Sequence, residues 1–265
     1  MTSPDTESDD FDNGWDARAT LVHGRWVDRS PRRPEVEPAM LREAALMPWL
    51  APQLPLTVPV PRVIADDPLT VRHDLVVGEA CPGTSAAQGA AVGTFLRALH
   101  GVDADEAVHH AAQPADEAFA FHQEVRDRMN VDVLPRVRAG LQAPATALLE
   151  RMSRPRGVPR LVHGDLGPVH IRVRGDDVGG VIDWMDAHVG DPALDLAWTV
   201  YGTSPAFSEA LRTAYDGDVD TLARGRDWHL LGPWHEVLYG LDIDEPDFVV
   251  SGLTGLEQRL ATAVD

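Results

Sequence analysis

The sequence predicts an α+β fold with two lobes, a small β-rich lobe over residues 1–77 and a larger helical lobe over residues 78–265. Three observations carry this prediction. The 265 residues exceed what a single hydrophobic core usually holds. Short β-type runs dominate as far as Val77, whereas apolar residues recur at helical spacing from Ala86 onward. Between these regions, glycine and proline in residues 78–83 interrupt both patterns.

The first lobe is predicted to contain four strands and one helix. A His23-Gly24 turn between two short β-type runs is typical of a hairpin. Met40, Ala44 and Met47 give the next segment an apolar helical face, and proline-rich stretches lie on both sides of it. The predicted elements are strands at 17–22, 25–29, 62–65 and 69–77 and a helix at 38–50.

The second lobe is predicted to be helical, with one short β-rich section in its middle. The β-type pieces are brief and are bounded by Gly or Asp. Helices are predicted at 86–100, 114–133 and 144–152, β pieces at 161–162, 171–173 and 180–182, and a helical C-terminal part with breaks at 216–218 and 242–246.

Composition limits the classes of function. The formal net charge of −19 opposes binding to nucleic acid or to an anionic membrane, because both need a positive face. The charge either favours a cationic small-molecule partner or only keeps the protein soluble. The single cysteine, Cys81, excludes an intrachain disulfide, and neither a signal-like start nor a bilayer-length apolar run occurs. We therefore expect a cytoplasmic protein.

Most residues that suggest chemistry lie between positions 161 and 197, in LVHGDLGPVHIRVRGDDVGGVIDWMDAHVGDPALDLA. Two short apolar strands separate Asp165 and His170 from Asp183, and a hairpin would bring the three side chains together. Phosphoryl transfer needs such a set, because one carboxylate deprotonates the incoming hydroxyl and another holds the metal ion that neutralises phosphate charge. A metal-dependent hydrolase is an alternative that the order of these residues fits less well.

HGDLGPVH, VIDW and GDPALDLA, in this order and at this spacing, resemble motifs of the aminoglycoside phosphotransferase and choline kinase superfamily. The resemblance implies a two-lobed protein-kinase-like fold and transfer of the γ-phosphoryl group of ATP or GTP, with Mg²⁺, to a hydroxyl group. It also implies that Asp165 is the catalytic base and that His170 and Asp183 bind the metal.

Supporting roles in this stretch follow from the same resemblance. His163 and Asp191 are implied to support the catalytic loop, and Asp195 is implied to cap or brace the helix that follows it. His170 departs from most of the family, which has Asn at this position. Because Mg²⁺ prefers oxygen ligands, a structural role for His170 is the alternative. Macrolide phosphotransferases have a similar Gly-His ending of the loop.

The resemblance extends to the first lobe, with one substitution. In the family, a Lys on the third strand pairs with nucleotide phosphates and with a Glu of the next helix, but this sequence contains no lysine. Arg29 and Glu43 take the matching positions, and arginine offers a planar fork of donors that stays charged. The main chain around Asp74 and Val76 is implied to contact the nucleotide base. Asn13-Gly14 is a candidate for the turn over the phosphates.

Aromatic and acidic residues in the C-terminal third suggest where an acceptor binds. Asp227, Trp228, Trp234 and Glu236 combine carboxylates with aromatic faces, which suit a sugar or an amine. The alternative is that the tryptophans belong to the core and that their polar neighbours lie on the surface.

These observations predict a phosphotransferase that acts on a small hydroxylated molecule. The expected acceptor is an antibiotic of the macrolide, aminoglycoside or nucleoside type, so that the enzyme confers resistance, and His170 favours the macrolide type. A metabolite kinase for a sugar or a choline-like compound keeps the same fold. A nucleotide-binding protein without transferase activity is a rival from another class, which Arg29 and His170 motivate as departures from the family.

Overall fold

An antiparallel sheet of five strands forms the first lobe of the computed structural model, which describes residues 8–11 and 16–264. Asn13 and Gly14 therefore lie outside the described residues. The sheet has the order β1-β2-β3-β5-β4. His23 and Gly24 connect β2 to β3 with positive φ angles of 52° and 63°, as a tight hairpin requires. The strands are β1 Ser8–Phe11, β2 Ala17–Val22, β3 Trp26–Pro31, β4 Arg62–Asp66 and β5 Leu69–Asp74.

Helix α1, Glu37–Leu50, packs on this sheet through a small apolar core. Met40 from the helix and Val71 from β5 are both fully buried there. The predicted helix at 38–50 is confirmed to within one residue. The predicted strand at 69–77 is too long, because Asp74 pairs with Trp26, the first residue of β3, and the ladder has no further partner.

The second lobe is mainly helical, and three short β ladders support its centre: β6 pairs with β8, β8 with β9, and β10 with β7. Among the described helices, none combines the length and the apolar character needed to cross a membrane. The elements are β6 Glu79–Ala80, α2 Ala86–His100, α3 Ala104–His109, α4 Ala115–Arg128, α5 Ala139–Met152, β7 Arg160–Val162, β8 Ile171–Arg174, β9 Asp177–Val181, β10 His188–Gly190, α6 Leu196–Tyr201, α7 Pro205–Tyr215, α8 Val219–Asp242 and α9 Pro246–Val264.

Two helices differ from the sequence-based expectation. The segment predicted as a helix at 114–133 is α-helical only to Arg128 and continues as one wider turn over Met129–Val133. Helix α5 begins at Ala139, five residues before the expected start, so Pro144 lies inside it. Pro144 lies beyond the first turn of α5, where proline is favoured, so taking the proline as the first helical residue placed the start of the helix too late.

Helices α2 and α7 of the second lobe pack closely against each other. An ideal Cβ atom at Gly89 would lie 2.2 Å from the carbonyl oxygen of Phe207, and one at Gly93 would lie 2.4 Å from that of Leu211. Only glycine allows the two backbones to come this close. Phe207 and Leu211 are fully buried, in the same core as Trp184. The two helices therefore form one packed unit beside the β7–β8 region.

Gly89→Ala tests this contact. The new methyl group meets a main-chain carbonyl, so helix α7 must move, and we expect unfolding free energy to fall by about 1–3 kcal/mol. Gly140→Ala is the matched control, because nothing lies within 4 Å of a Cβ atom at that position of α5. There the alanine should stabilise by about 0.4–1 kcal/mol. Denaturant unfolding of both variants measures the difference, and equal effects would contradict the close packing.

Candidate active site

We call the loop between β7 and β8 the catalytic loop, after the role that the family resemblance implies for it. It carries Asp165 at the inter-lobe side of the second lobe. Gly164 has a φ angle of +91°. A Cβ atom on it would lie 2.2 Å from the carbonyl oxygen of Asp186. Both facts require glycine at the middle of the HGD motif. The loop is therefore pressed against the segment that follows Asp183, and the two acidic parts of the sequence meet in space.

Asp195 holds the start of this loop. Its carboxylate accepts hydrogen bonds from the amide of His163 at 2.8 Å and from the amide of Gly164 at 3.0 Å. Burial alone would raise the pKa of Asp195, but the bond from His100 and the bond from the His163 amide outweigh it and keep the pKa below its usual value. We expected Asp195 to cap or brace the next helix, and the cap is wrong, because its side chain makes no cap bond to α6.

Asp191 was expected to support the loop, and the structure places it elsewhere. In the described part of the chain, its carboxylate accepts hydrogen bonds from the amide of Ala193, from Arg224 at 3.1 Å and from the indole Nε1 of Trp228 at 3.2 Å. Arg224 and Trp228 both lie on α8. Asp191 therefore ties α8 to the turn before α6, and Asp195 takes the role in the loop.

His163 has one defined tautomer. Its Nε2–H donates to the carbonyl of Ile182 at 3.0 Å, and its Nδ1 accepts from the amide of Asp165 at 3.3 Å. Burial lowers the pKa of His163, so the ring is neutral. The ring also packs on Trp184, with the ring centres 4.8 Å apart. His163 thus joins the catalytic loop to the strand that leads to Asp183.

His170 lies between the two carboxylates of the motif. Its Nδ1 is 2.5 Å from the carbonyl oxygen of Asp165. A carbonyl can only accept, so Nδ1 carries a proton, and in the neutral form of the ring Nε2 has a free lone pair. Nε2 lies 3.7 Å from Oδ2 of Asp183. Two acceptor atoms facing each other at this distance leave room for a cation between them.

Asp183 has a φ angle of +67°, a left-handed conformation that is rare for residues other than glycine. Its Oδ1 accepts a hydrogen bond from Nη2 of Arg29 at 3.1 Å. Burial alone would raise the pKa of Asp183, but the positive charge of Arg29 outweighs this effect and lowers it. The carboxylate is therefore ionised, with one oxygen on Arg29 and the other facing His170.

Arg29 and Glu43 form a buried ion pair between β3 and α1. Nη1 of Arg29 lies 2.9 Å from both carboxylate oxygens of Glu43, and the two residues are 6% and 1% exposed. Burial would lower the pKa of Arg29, but Glu43 and Asp183 outweigh it and raise the pKa, so the guanidinium stays charged. Glu43 also accepts from the amide of Trp184 at 3.3 Å. Arg29 and Glu43 thus join both lobes at Asp183.

Asp74 and Val76 lie where the chain leaves β5 for the second lobe. The carbonyl of Asp74 accepts from Nδ1 of His73 at 2.9 Å, and its carboxylate lies 3.6 Å from Arg25 at the surface. Val76 approaches Gly180 so closely that a Cβ atom there would lie 2.7 Å from the valine side chain. This connection therefore passes directly beside β9, next to the strand end that leads to Asp183.

The predicted acceptor residues are not brought together. Trp234 is fully buried among apolar residues of α5, α8 and α9, so the idea that it contacts a substrate is wrong. Asp227 is paired with Arg151 at 2.9 Å and with Arg156 at 2.6 Å, which gives it a structural role. Trp228 and Glu236 are half-buried. The helical period explains the error, because Trp234 shares the core face of α8 with Leu230 and Val237.

Another acidic residue lies in the cleft. Asp186 is exposed, beside the catalytic loop. The surrounding walls of the cleft and the repulsion from Asp165, Asp183 and Asp16 raise its pKa to about 7. The sequence contains a signal for it, since it lies in the WMDA continuation of the VIDW motif.

Ring contacts connect three aromatic residues on the second-lobe side. His122 of α4 lies 5.3 Å from His188 and 5.4 Å from Trp228, measured between ring centres. Burial and neighbouring positive groups lower the pKa of His122 to about 3, so its ring is neutral. Nothing in the local sequence around His122 indicates this placement.

Comparison with known proteins places the chain in a family. The sequence model of the phosphotransferase enzyme family matches residues 10–230. Among solved structures, the GDP and kanamycin complex of APH(2")-IIIa superposes with a TM-score of 0.84 at 21% identity, over 97% of this chain and 94% of that one. Macrolide 2'-phosphotransferase MphH from Brachybacterium faecium superposes with a TM-score of 0.74 at 24% identity, over 94% and 91% of the two chains. At these identities the structural likeness establishes the fold.

Two curated proteins match in sequence. The uncharacterized protein YcbJ of Bacillus subtilis (strain 168) is 29% identical over 207 residues, which are 67% of this chain and 63% of YcbJ. Homoserine kinase of Methylocella silvestris is 42% identical over 64 residues, which are 23% of this chain and 20% of that enzyme. The chain thus spans less than two thirds of either relative.

The two lobes and their shared site define a protein-kinase-like fold, as the sequence predicted. The chain belongs to the phosphotransferase enzyme family, whose model covers most of its length. Both the α+β fold class and the family resemblance are therefore confirmed.

Proposed function

We propose that this protein transfers the γ-phosphoryl group of ATP or GTP to a hydroxyl group of a small molecule in the cytoplasm, with Asp165 as catalytic base. One observation carries the proposal: Arg29, Glu43 and Asp183 form a single ion network across the lobes, beside His170 and Asp165. A phosphate-binding cation, a metal-binding carboxylate and a base are the groups that phosphoryl transfer requires.

The nucleotide is proposed to bind between a first lobe that ends at residue 77 and a second lobe that begins at residue 78. Arg29 would contact the phosphates, because Glu43 and Asp183 occupy only part of its five N–H donors. The main chain of Asp74 and Val76 would contact the base at the connection between the lobes. Glu43 fixes the guanidinium, because both of its carboxylate oxygens lie 2.9 Å from Nη1.

His170 and Asp183 fit a divalent cation such as Mg²⁺. The tautomer of His170 leaves Nε2 free, and the second ring nitrogen donates to a carbonyl, as is usual for histidines that bind metals. No group of three or more His, Cys, Asp or Glu side chains within residues 8–11 and 16–264 is placed to hold an ion. The protein would thus supply two ligands and leave the others to phosphate oxygens and water. Bound there, the cation would neutralise charge on the phosphates.

Asp165 is proposed to orient the acceptor hydroxyl and take its proton. Its side chain is 66% exposed, so an acceptor can reach it. The loop around it is fixed at His163 and Gly164 by Asp195 and at its own carbonyl by His170. A base held by main-chain contacts keeps its carboxylate free for the substrate, which suits general base catalysis.

The acceptor is proposed to be an antibiotic of the macrolide, aminoglycoside or nucleoside type, so that transfer inactivates it and confers resistance. Support comes from the kanamycin complex and the macrolide phosphotransferase among the similar structures. The net charge of −19 and the exposed carboxylate of Asp165 favour an acceptor that carries an amine. A metabolite acceptor is the second candidate, and the match to homoserine kinase favours it.

A panel experiment tests the proposed function. Each antibiotic class, homoserine, choline and simple sugars are incubated with the protein, Mg²⁺ and ATP or GTP, and products are examined by mass spectrometry for one added phosphate. We expect phosphorylation of an antibiotic. Product from homoserine or a sugar alone would select the metabolite kinase, and nucleotide binding without any product would select the non-catalytic alternative.

Asp165→Asn should lower kcat by about 10²–10⁴-fold, because the amide cannot accept the hydroxyl proton. Nucleotide affinity should stay unchanged, since His170 is the only proposed metal- or phosphate-binding residue that Asp165 is described to contact. Asp66→Asn on the exposed edge strand β4 controls for the change in net charge and should keep full activity. Steady-state kinetics with the accepted substrate decide the matter. A variant with near-normal kcat would remove Asp165 from the role of base.

His170→Asn should preserve metal-dependent nucleotide binding, since the amide oxygen replaces an imidazole nitrogen and suits Mg²⁺ better. The preference for Mn²⁺ over Mg²⁺ should be smaller than in the wild type, because Mn²⁺ accepts nitrogen more readily. Calorimetry of nucleotide binding with each ion measures this. His170→Leu, as control, should lose most of the metal effect. Identical ion preferences in wild type and His170→Asn would make His170 a structural residue.

A further inference from the structure

Three ring side chains from two helices lie together near Asp165. The ring centre of His122 of α4 is 5.4 Å from that of Trp228 of α8. Trp228 and His235 are seven residues apart in α8, so they share one face of that helix. Burial lowers the pKa of His235, and the charge of the nearby Asp165 opposes this only in part. We call His122, Trp228 and His235 the ring wall.

His188 connects the ring wall to the catalytic loop. Its ring centre is 5.3 Å from that of His122, and its Nδ1–H donates to the carbonyl oxygen of Asp186 at 2.8 Å. A Cβ atom on Gly164 would meet the same carbonyl oxygen at 2.2 Å. The ring wall is thus two contacts away from the residue before Asp165. The rest of an acceptor must lie in this region when its hydroxyl group meets Asp165.

The ring wall itself carries no negative charge. Burial and neighbouring positive groups lower the pKa of His122 to about 3, and burial lowers the pKa of His235, so both rings are neutral near pH 7. The carboxylate of Asp191 accepts a hydrogen bond from the indole of Trp228. Arg224 also donates to this carboxylate and balances its charge.

A buried arginine next to the ring wall makes it unfavourable for cations. Arg126 lies one helical turn after His122 in α4 and is 5% exposed, with its guanidinium 5.3 Å from the ring centre of Phe119. Within residues 8–11 and 16–264, its Nε and Nη2 have no hydrogen-bond partner, and it forms no ion pair. Arginine keeps its charge in proteins, and a charge without a close partner in a buried place acts over a longer distance than one in water. An ammonium group at the ring wall would therefore be repelled.

The ring wall has free groups that match hydroxyl groups. A neutral imidazole offers one donor and one acceptor nitrogen, as a hydroxyl group also does. In the part of the chain that the structure describes, the ring nitrogens of His122 and His235 have no hydrogen-bond partner. His122 is half-buried and His235 is exposed, so a ligand can reach both. Trp228 adds an apolar ring face, and this mixture suits a sugar ring.

We propose that the ring wall binds an uncharged, hydroxylated ring of the acceptor, such as a sugar, and disfavours ammonium groups. The inference rests on the proposed phosphoryl transfer, which places the acceptor hydroxyl at Asp165. An amine of the acceptor would lie at the acidic end of the cleft, near Asp165 and Asp186. Among the proposed acceptors, this selects nucleosides and macrolides with one amine over polycationic aminoglycosides.

A titration of the wild-type protein tests the proposal directly. Nitrogen NMR follows the imidazole signals of His122 and His235, assigned with His122→Asn and His235→Asn. Uridine, trehalose and a macrolide with one amine are the mainly uncharged probes, and kanamycin is the polycation. We expect at least one of the uncharged probes to shift both signals, because its hydroxyl groups bond to the ring nitrogens. Kanamycin at the same concentration should leave the signals in place.

Charge variants of the ring wall should change the preference. His122→Asp places a carboxylate in it and should strengthen kanamycin binding by about 5-fold, as expected for one partly exposed charge pair. His122→Asn has the same size without the charge and should give no gain. Arg126→Met removes the repelling cation and should also strengthen kanamycin binding by about 5-fold. His109→Asp, at the exposed end of α3, controls for net charge. Calorimetry measures each dissociation constant.

Three results would overturn the proposal: kanamycin shifts the two signals as much as the uncharged probes, none of these probes shifts them, or His122→Asp and His122→Asn bind kanamycin equally well. If His122→Asp does not fold, Arg126→Met and the wild-type titration still decide. The titrations need no phosphoryl transfer. Binding of uncharged rings without any phosphorylated product would contradict the proposed function alone, whereas efficient phosphorylation of kanamycin would support the proposed function and contradict the role of the ring wall.

Discussion

The guanidinium of Arg29 contacts acidic residues of both lobes, and the site depends on it. Nη1 binds Glu43 of α1 and Nη2 binds Asp183 of the second lobe. The buried carboxylate of Glu43 and the partly exposed carboxylate of Asp183 would repel each other without this cation. A buried ion pair costs desolvation, so its value lies more in a defined geometry than in stability. A lysine would supply one positive charge there, whereas the planar guanidinium of arginine donates hydrogen bonds to Glu43 and Asp183 at the same time.

In the second lobe, the buried carboxylate of Asp195 fixes the position of the HGD segment. Through it the HGD segment is held by the core of α2 and α7, while Gly164 lets the segment touch Asp186. The site therefore has two kinds of residue, those that support the loop and the one that projects from it. Its supports are buried and fully bonded, and Asp165 projects from them with an exposed carboxylate. This arrangement combines a fixed position with access for an acceptor.

The sequence predicted the parts of the fold and site that local spacing determines. Asp165, His170 and Asp183 could be grouped because two short strands between them form a hairpin, and Arg29 and Glu43 could be matched as strand and helix positions. Long-range partners were different. His100 and Asp195 are 95 residues apart, and Tyr215 is 115 residues from His100. A local sequence pattern therefore cannot predict that these residues are in contact. Trp234 was misjudged because its role depends on which face of α8 meets the core.

We propose that Arg29 binds nucleotide phosphates as well as holding the lobes together. Two variants separate these roles: Arg29→Met alone, and Arg29→Met combined with Glu43→Gln. For each variant, calorimetry measures the nucleotide affinity and denaturant unfolding measures the unfolding free energy. Arg29→Met leaves Glu43 buried without its partner and should cost about 3–5 kcal/mol. The second change removes that charge, so stability should recover while nucleotide affinity stays low. Recovery of affinity together with stability would contradict the claim and make Arg29 a purely structural residue.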